Sequence, residues 1–96
     1  MTAYVIADIE WHDEVQHAIE SKDFFQILEK FGGRFLVSAK NPEVIEGRMK
    51  FRTLVVLEFP SKQAFRNWYD SKDYAANKAI RMKYADTNGI VADTEG

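Results

Sequence analysis

The clearest strand in the chain is residues 52–59, RTLVVLEF, a run of apolar and β-branched side chains that Pro60 ends. Successive side chains of a strand point to opposite faces of a sheet. One face of this strand is fully apolar, and the other mixes apolar and charged residues. The apolar face carries Val55, Leu57 and Phe59, and the mixed face carries Arg52, Leu54, Val56 and Glu58. Both faces therefore need cover from water.

The segments on either side predict an alternation of strands and helices. Upstream, residues 4–9 and 34–39 have strand character and flank a stretch, residues 15–31, with apolar residues at helical spacing. Downstream, apolar residues recur at helical spacing over residues 64–84, and residues 90–93 fit a short last strand. The order β-α-β-β-α-β is the ferredoxin-like arrangement. We expect an α+β fold with a four-stranded antiparallel sheet, the 96 residues forming one domain.

Polar residues and glycines predict where the helices begin and end. Asp13, with Gln16 three residues later, has the pattern of an N-cap. The helical spacing slips at residues 21–23, which indicates a kink or a restart. Gly32 and Gly33 follow the last helical position, as glycine commonly does. The remaining signals are Ser61 and Ser71 as helix caps, and Asn41-Pro42 and Asn88-Gly89 as turns.

Composition excludes several classes of function. The chain has no cysteine, which rules out a disulfide scaffold, a thiolate metal site and a cysteine nucleophile. The net charge of −2 and the scattered basic residues give no patch for nucleic acid. The apolar runs are far shorter than the ~20 residues of a membrane span, and no leader is apparent. We expect a cytoplasmic protein with no metal, no cofactor and no membrane or nucleic-acid partner.

In the ferredoxin-like fold the helices cover only one face of the sheet, where Phe35 and Val37 are expected. The other face, which we call the open face, carries Tyr4, Ile6 and Asp8 from the first strand, Arg34, Leu36 and Ser38 from the second, and Arg52, Leu54, Val56 and Glu58 from the third. Its aliphatic side chains form a patch too large to leave in water. We therefore expect a homodimer in which two open faces pair to form a dimeric α/β barrel.

Three charged residues of the open face are the strongest candidates for chemistry. With the first and third strands taken as parallel neighbours, Asp8 and Glu58 lie at corresponding ends, and the second strand brings Arg34 beside Glu58. Two carboxylates close together in a shielded site cannot both ionise freely, so one pKa is expected to rise while Arg34 holds the other group ionised. General acid–base catalysis needs that division. The alternative is a salt bridge that only fixes the register of the dimer.

Four other side chains are weaker candidates. His12 follows the first strand and could shuttle protons at neutral pH, or simply face solvent. Arg52 could bind a ligand carboxylate through its two-pronged guanidinium, or form an ion pair between subunits. Tyr69 and Tyr74 could line a ligand site, or pack in the core. Because His12 and His17 are not spaced as two ligands on one helix face, no metal site is expected.

Much of the chain resembles a known family. The motifs that carry the resemblance are Gly32-Gly33-Arg34-Phe35, Glu46-Gly47, Arg52, residues 55–61 (VVLEFPS) and residues 68–74 (WYDSKDY). Their order and spacing are similar to those of the family called domain of unknown function thirteen-thirty. The resemblance implies a dimeric α/β barrel, akin to antibiotic-biosynthesis monooxygenases and muconolactone-isomerase-like proteins, and no established activity. The chain departs from the family pattern at residues 48–51 and at Lys72.

Two functions from different classes fit these features. In the first, a pocket between helices and sheet binds a small organic molecule, and Asp8, Glu58 and Arg34 supply acid–base chemistry without a cofactor. In the second, the protein is a non-catalytic dimeric module that senses a ligand or supports a partner, and the polar cluster only sets the register. A carboxylate that titrates near neutrality and responds to a small molecule would favour the first function.

Overall fold

The computed structural model describes residues 1–94. The strands are β1 (Ala3–Trp11), β2 (Arg34–Lys40), β3 (Thr53–Phe59) and β4 (Ala85–Asp93), and the helices are α1 (Glu14–Ser21), α2 (Phe24–Lys30), α3 (Lys62–Tyr69) and α4 (Lys72–Tyr84). Each predicted helical region is thus two helices with a break between them. Among the described residues no helix combines the length and apolarity that a membrane crossing requires. The cytoplasmic location stays a prediction.

The four strands form one sheet in the order β2-β3-β1-β4, with every neighbouring pair antiparallel. This arrangement confirms the ferredoxin-like α+β fold. The expected parallel pairing of the first and third strands is wrong, because Ala3 lies opposite Phe59 and Asp8 lies opposite Leu54. The crossover through α1 and α2 makes β2 run parallel to β1. Since β3 follows β2 and inserts between them, it runs antiparallel to both.

The core lies between the helices and the face of the sheet opposite to the open face. Leu57 and Phe59 of β3 are buried there against Trp68 and Tyr74, all four less than 5% exposed. The aromatic rings of Trp68 and Tyr74 stack with centroids 4.0 Å apart. Partly buried residues complete this layer as predicted: Val5, Phe24, Ile27, Phe31, Phe35 and Val55.

A bulge in β2 changes which side chains face the helices. Phe35 pairs with Leu57 of the core face, but the register then shifts so that Val37 lies opposite Val56. Val37 is therefore on the open face, where it is 39% exposed, and its expected place under the helices is wrong. The extra residue of a bulge moves every later side chain of the strand to the other face.

The predicted helix caps are confirmed. Asp13 accepts hydrogen bonds from the backbone of Val15 and Gln16. Ser61 accepts from Ala64 N at 3.0 Å, and Ser71 accepts from Tyr74 N at 3.1 Å. These caps satisfy N–H groups that the first helical turn leaves unpaired.

The turn predicted at Asn88-Gly89 is wrong, because both residues lie inside β4. All nine residues of β4 pair with β1, and Gly89 lies opposite Ala7. The extended ladder along β1 outweighs the local turn preference of these two residues.

Gly33 is a position where the fold leaves no room for a side chain. A Cβ atom there would lie 2.5 Å from Leu28 Cδ1 and 2.8 Å from Phe59 Cε1. We expect Gly33→Ala to lower the free energy of unfolding by about 1–3 kcal/mol through overpacking. The matched control is Gly89→Ala, whose Cβ would make ordinary contacts beginning at 3.5 Å. Chemical denaturation of both variants checks this, and equal stabilities would contradict it.

Candidate functional site

A cavity of about 1060 Å³ lies between the sheet and the helices. Its wall on the sheet side is mostly apolar, and all four helices contribute to the opposite wall. Such a volume is at the upper end of the range of ~300–1,000 Å³ typical of small-molecule pockets. The cavity lies on the core face of the sheet, so the open face is on the other side.

Helix α1 turns its polar side chains towards this cavity and its apolar side chains towards solvent. Val15 and Ile19 are 67% and 52% exposed, whereas Glu20 is only 5% exposed. His17 and Glu20 both line the cavity. The apolar spacing correctly predicted a helix here, but its aliphatic residues do not face the core. Burying a carboxyl while exposing aliphatic residues costs stability, so this orientation points to a function for the polar side.

The position of Glu20 is fixed by the break between α1 and α2. Asn77 of α4, itself 5% exposed, donates hydrogen bonds to the backbone carbonyl of Glu20 at 2.8 Å and to Asp23 Oδ1 at 2.9 Å. Burial raises the pKa of Glu20 from its usual 4.5 to about 7; the positive charge of Arg81 lowers it and the negative charge of Asp23 raises it. Glu20 can therefore exchange a proton near neutral pH.

Arg81 and two tyrosines form the polar group next to Glu20. Arg81 Nε donates to the hydroxyl of Tyr74 at 3.4 Å, and Tyr69 lines the same wall of the cavity. Burial raises the pKa of Tyr74, although the charge of Arg81 opposes the rise. Tyr69 and Tyr74 thus belong both to the aromatic core and to the wall of the cavity; a role in ligand binding stays a prediction.

Two buried polar atoms in the cavity wall have no hydrogen-bond partner within residues 1–94. They are Nε1 of Trp68, a residue that is 3% exposed, and Oγ1 of Thr87. A buried donor or acceptor without a partner is costly, so such groups are rare in folded proteins.

Trp11 and His17 add a stacked pair to the same cavity. Their ring centroids are 4.5 Å apart and the rings are nearly parallel, at 7°. The side chain of His17 is half-buried against Trp11. Its imidazole is therefore part of the polar wall of the cavity.

The predicted row of Asp8, Glu58 and Arg34 is not formed. Because β1 and β3 are antiparallel, Tyr4 rather than Asp8 lies opposite Glu58. Arg34 does pair with Glu58, its Nη1 3.2 Å from Oε1, as the sequence predicted. A hydrogen bond to Glu58 and the charge of Glu58 raise the pKa of Tyr4. All three predicted residues lie on the open face, away from the cavity.

Asp8 belongs instead to a network at the opposite end of the open face. Its carboxylate accepts hydrogen bonds from the backbone of Arg52 and Thr53 and from Nε and Nη2 of Arg52. Burial raises the pKa of Asp8, but the hydrogen bonds from Arg52 and Thr53 outweigh this and lower it overall. The expected rise of a carboxyl pKa is therefore wrong for Asp8. The guanidinium of Arg52 is occupied within its own chain rather than offered to a ligand.

His12 lies at the edge of this network and is exposed. Its Nε2 is 3.1 Å from Asp86 Oδ2. Glu10, His12 and Asp86 bring three possible metal-ligating atoms within 4.8 Å of one another. Arg52 Nη1, however, lies 2.9 Å from Glu10 Oε1 and 3.9 Å from Asp86 Oδ2. The guanidinium thus already supplies the positive charge that these carboxylates attract.

No local sequence pattern singles out Glu20 or Arg81 as a site residue. The apolar spacing of α1 favours the opposite face as the buried one, so Glu20 reads as a surface residue. Arg81 lies in the last turn of α4, where basic residues are common because they complement the helix dipole. Only the packing of α1 against α4 brings the two residues together.

Solved structures that resemble this one share its fold. A protein of unknown function from Rhodopseudomonas palustris has a TM-score of 0.78 and 15% identity, over 99% of this chain and 83% of that chain. A cofactor-independent oxygenase from Streptomyces nogalater has a TM-score of 0.67 and 9% identity, over 99% and 94%. A dimeric ferredoxin-like protein of unknown function from Jannaschia has a TM-score of 0.65 and 9% identity, over 98% and 100%. At these identities the likeness shows the fold alone.

The chain also matches one sequence family along almost its whole length. No curated protein sequence matches it at a significant level. The family model of a domain of unknown function, DUF1330, matches residues 2–94, which include the Gly32-Gly33-Arg34-Phe35 and Trp68–Tyr74 motifs. The chain belongs to the family of the domain of unknown function DUF1330.

Proposed function

We propose that this protein binds a small organic molecule in the cavity between sheet and helices and exchanges a proton with it through Glu20. The observation that carries the proposal is the orientation of α1, which buries Glu20 and leaves Val15 and Ile19 exposed. A helix under selection for stability alone would bury the aliphatic side. Perturbed titratable groups in a cavity are the usual mark of a functional site.

The chemistry follows from the groups around Glu20. A carboxyl with a pKa near 7 is partly protonated at neutral pH, so it can either donate or accept a proton. Arg81 and the hydroxyl of Tyr74 stand beside it to stabilise negative charge that develops on a substrate. The apolar wall of the sheet excludes water, which strengthens these interactions. None of these steps requires a cofactor.

A neighbour of known activity supports this proposal at the level of the fold. The Streptomyces nogalater protein is a cofactor-independent oxygenase, so a fold of this type can hold chemistry that its own side chains perform. The reaction of this chain is not inferred from that protein, because function depends on the site rather than on the fold.

The same proposal includes a homodimer that pairs open face to open face. The centre of the open face is apolar, with Ile90 63% exposed, Leu36 41% and Val37 39%. Ile6, Leu54 and Val56 continue this patch across the sheet. The ion pairs Arg34–Glu58 and Arg52–Asp8 lie at its two ends. An apolar centre with a polar rim is typical of protein interfaces, and the Jannaschia neighbour is dimeric.

The alternative function is a non-catalytic dimeric module. The observation in its favour is that Asp8, Arg34, Arg52 and Glu58 form ion pairs within the chain, as residues that only set the register of a dimer would. In that case the cavity senses a ligand and Glu20 does not react. Transfer of a proton to or from a bound molecule, followed by NMR of the Glu20 carboxyl, separates the two functions.

The dimer is tested by Ile90→Lys. Because Ile90 is 63% exposed in the isolated chain, a lysine there leaves the fold intact but places a charge in the proposed interface. Native mass spectrometry is expected to give a dimer for the unmodified protein and a monomer for this variant. The matched control is Ile19→Lys, an exposed isoleucine on α1, which should remain dimeric. A monomer for the unmodified protein would contradict the open-face pairing.

Ligand binding is also tested by native mass spectrometry, under conditions that preserve non-covalent complexes. Protein purified without added ligand is expected to carry a small molecule in a fraction of the chains, and Glu20→Gln is expected to alter that fraction. Mass and fragmentation then identify the molecule. If neither co-purified molecules nor a metabolite library give any complex, the proposed function is wrong.

The ionisation of Glu20 is tested by stability against pH. The unfolded chain releases this proton near pH 4.5 and the folded chain near pH 7, so the folded state holds more protons between these values. Raising the pH through this window therefore lowers stability. Relative to Glu20→Gln, the free energy of unfolding should fall by at most about 3 kcal/mol between pH 4.5 and 8.

The control for this measurement is Glu29→Gln, an exposed carboxyl on α2. The difference between this variant and the unmodified protein should not change over the same pH range. Because a dimer is expected, all samples are compared at one protein concentration. Parallel stability curves for Glu20→Gln and the unmodified protein would show that Glu20 is ionised in both states.

A further inference from the structure

We infer that the ligand of the cavity is an organic monoanion, whose planar oxyanion group pairs with Arg81 beside the hydroxyls of Tyr69 and Tyr74. This inference rests on the proposed function and names the class of ligand. Its starting point is a half-buried cation without a carboxylate partner. Within residues 1–94, the side-chain ion pairs closer than 4 Å do not include Arg81.

The other cations of the cavity wall do not offer the same site. Arg52 is neutralised by Asp8 and Glu10. Lys40 and Arg66 are exposed, so water screens their charges. Of the four, Arg81 is the one that is partly buried and has no carboxylate oxygen within 4 Å in residues 1–94, although the carboxyl of Glu20 is near enough to feel its charge. A charge out of water needs a partner, and here the cavity is where a partner can enter.

The geometry of Arg81 selects the shape of the anion. Nε is directed to Tyr74 at 3.4 Å, which leaves the terminal nitrogens of the guanidinium for a second partner. These nitrogens match the two oxygens of a carboxylate. A single cation balances one negative charge, whereas a phosphate dianion would leave a second charge unpaired in an apolar cavity. We therefore assign a carboxylate-type anion rather than a phosphate.

The rest of the cavity fits the body of such a ligand. Its lining includes three aromatic and three aliphatic side chains that are only partly buried: Trp11, Phe24, Phe35, Val5, Ile9 and Val55. A flat, apolar ligand body can pack against them. An aromatic or unsaturated carboxylic acid has these features together.

Binding of the anion is coupled to the proton on Glu20. The charged and titratable groups that face Glu20 are Arg81 and Tyr74 of α4 and Asp23, which immediately precedes α2, and His17 lines the same cavity. An ionised Glu20 competes with the ligand for Arg81, whereas a protonated Glu20 does not. The affinity for a carboxylate should therefore fall as the pH rises through 7.

The test compares two probes of the same shape, 2-naphthoate and 2-naphthamide, by isothermal titration calorimetry on the full-length protein. The unmodified protein is expected to bind the carboxylate at least tenfold more tightly than the amide. Arg81→Met should weaken binding of the carboxylate by tenfold or more and leave the amide unchanged. Arg81→Lys keeps the positive charge but loses the two parallel N–H donors of the guanidinium. Its affinity for the carboxylate should therefore lie between those of the unmodified protein and Arg81→Met. Lys83→Met, an exposed cation of the same helix, should change neither affinity.

A second arm uses pH and separates anion recognition from a structural effect of Arg81. The affinity for 2-naphthoate should fall at least threefold between pH 6 and pH 8, and Glu20→Gln should remove that dependence. If the unmodified protein binds the two probes with equal affinity, the assignment of a monoanion is wrong. The same holds if Arg81→Met loses affinity for both probes equally. In either case the cavity still binds a ligand, so the proposed function stands. Failure to bind either probe at millimolar concentration also overturns it, and the proposed function is then judged on the co-purified molecule alone.

Discussion

A single layer of helices covers one face of the sheet, and within residues 1–94 the opposite face has no cover. The rest of the molecule depends on this imbalance. Strand β1 illustrates it, because Val5 and Ala7 face the helices while Ile6 and Asp8 lie on the open face. Apolar residues on both faces require two covers, and in the proposed homodimer a second copy of the sheet is the missing one. The antiparallel pairing then places one ion pair at each end of the apolar patch.

Proposed ligand binding and proposed dimer formation use opposite faces of the sheet. The sequence hypothesis placed acid–base residues and dimer contacts on one surface, since it put Asp8, Glu58 and Arg34 in a single row. In the structure these residues frame the open face, while Glu20, Arg81 and Tyr74 lie in the cavity on the other side. The sheet is thus a shared wall. If both proposals hold, a change in β1 or β3 affects ligand binding and dimer formation together, because alternate residues of each strand face the cavity and the open face.

The orientation of α1 departs from the one that stability alone favours. The helix exposes Val15 and Ile19 and buries Glu20, which the rules of helix amphipathicity do not predict. Asn77 stabilises this arrangement by hydrogen bonds on both sides of the break between α1 and α2. Places where sequence rules fail are often functional or strained sites. The failure at α1 coincides with the polar wall of the cavity, which is where the proposed function places the reacting carboxyl.

The sequence by itself determined the elements, their order and the family, since strand alternation, helical spacing and caps such as Asp13 and Ser61 are local signals. It also determined the Arg34–Glu58 pair, which depends only on neighbouring strands. Strand direction, the bulge at Val37 and the inward turn of Glu20 were decided by the tertiary structure. These features depend on which element packs against which, and no local preference encodes that choice. The meeting of Glu20 with Arg81, 61 positions later in the chain, is the clearest case.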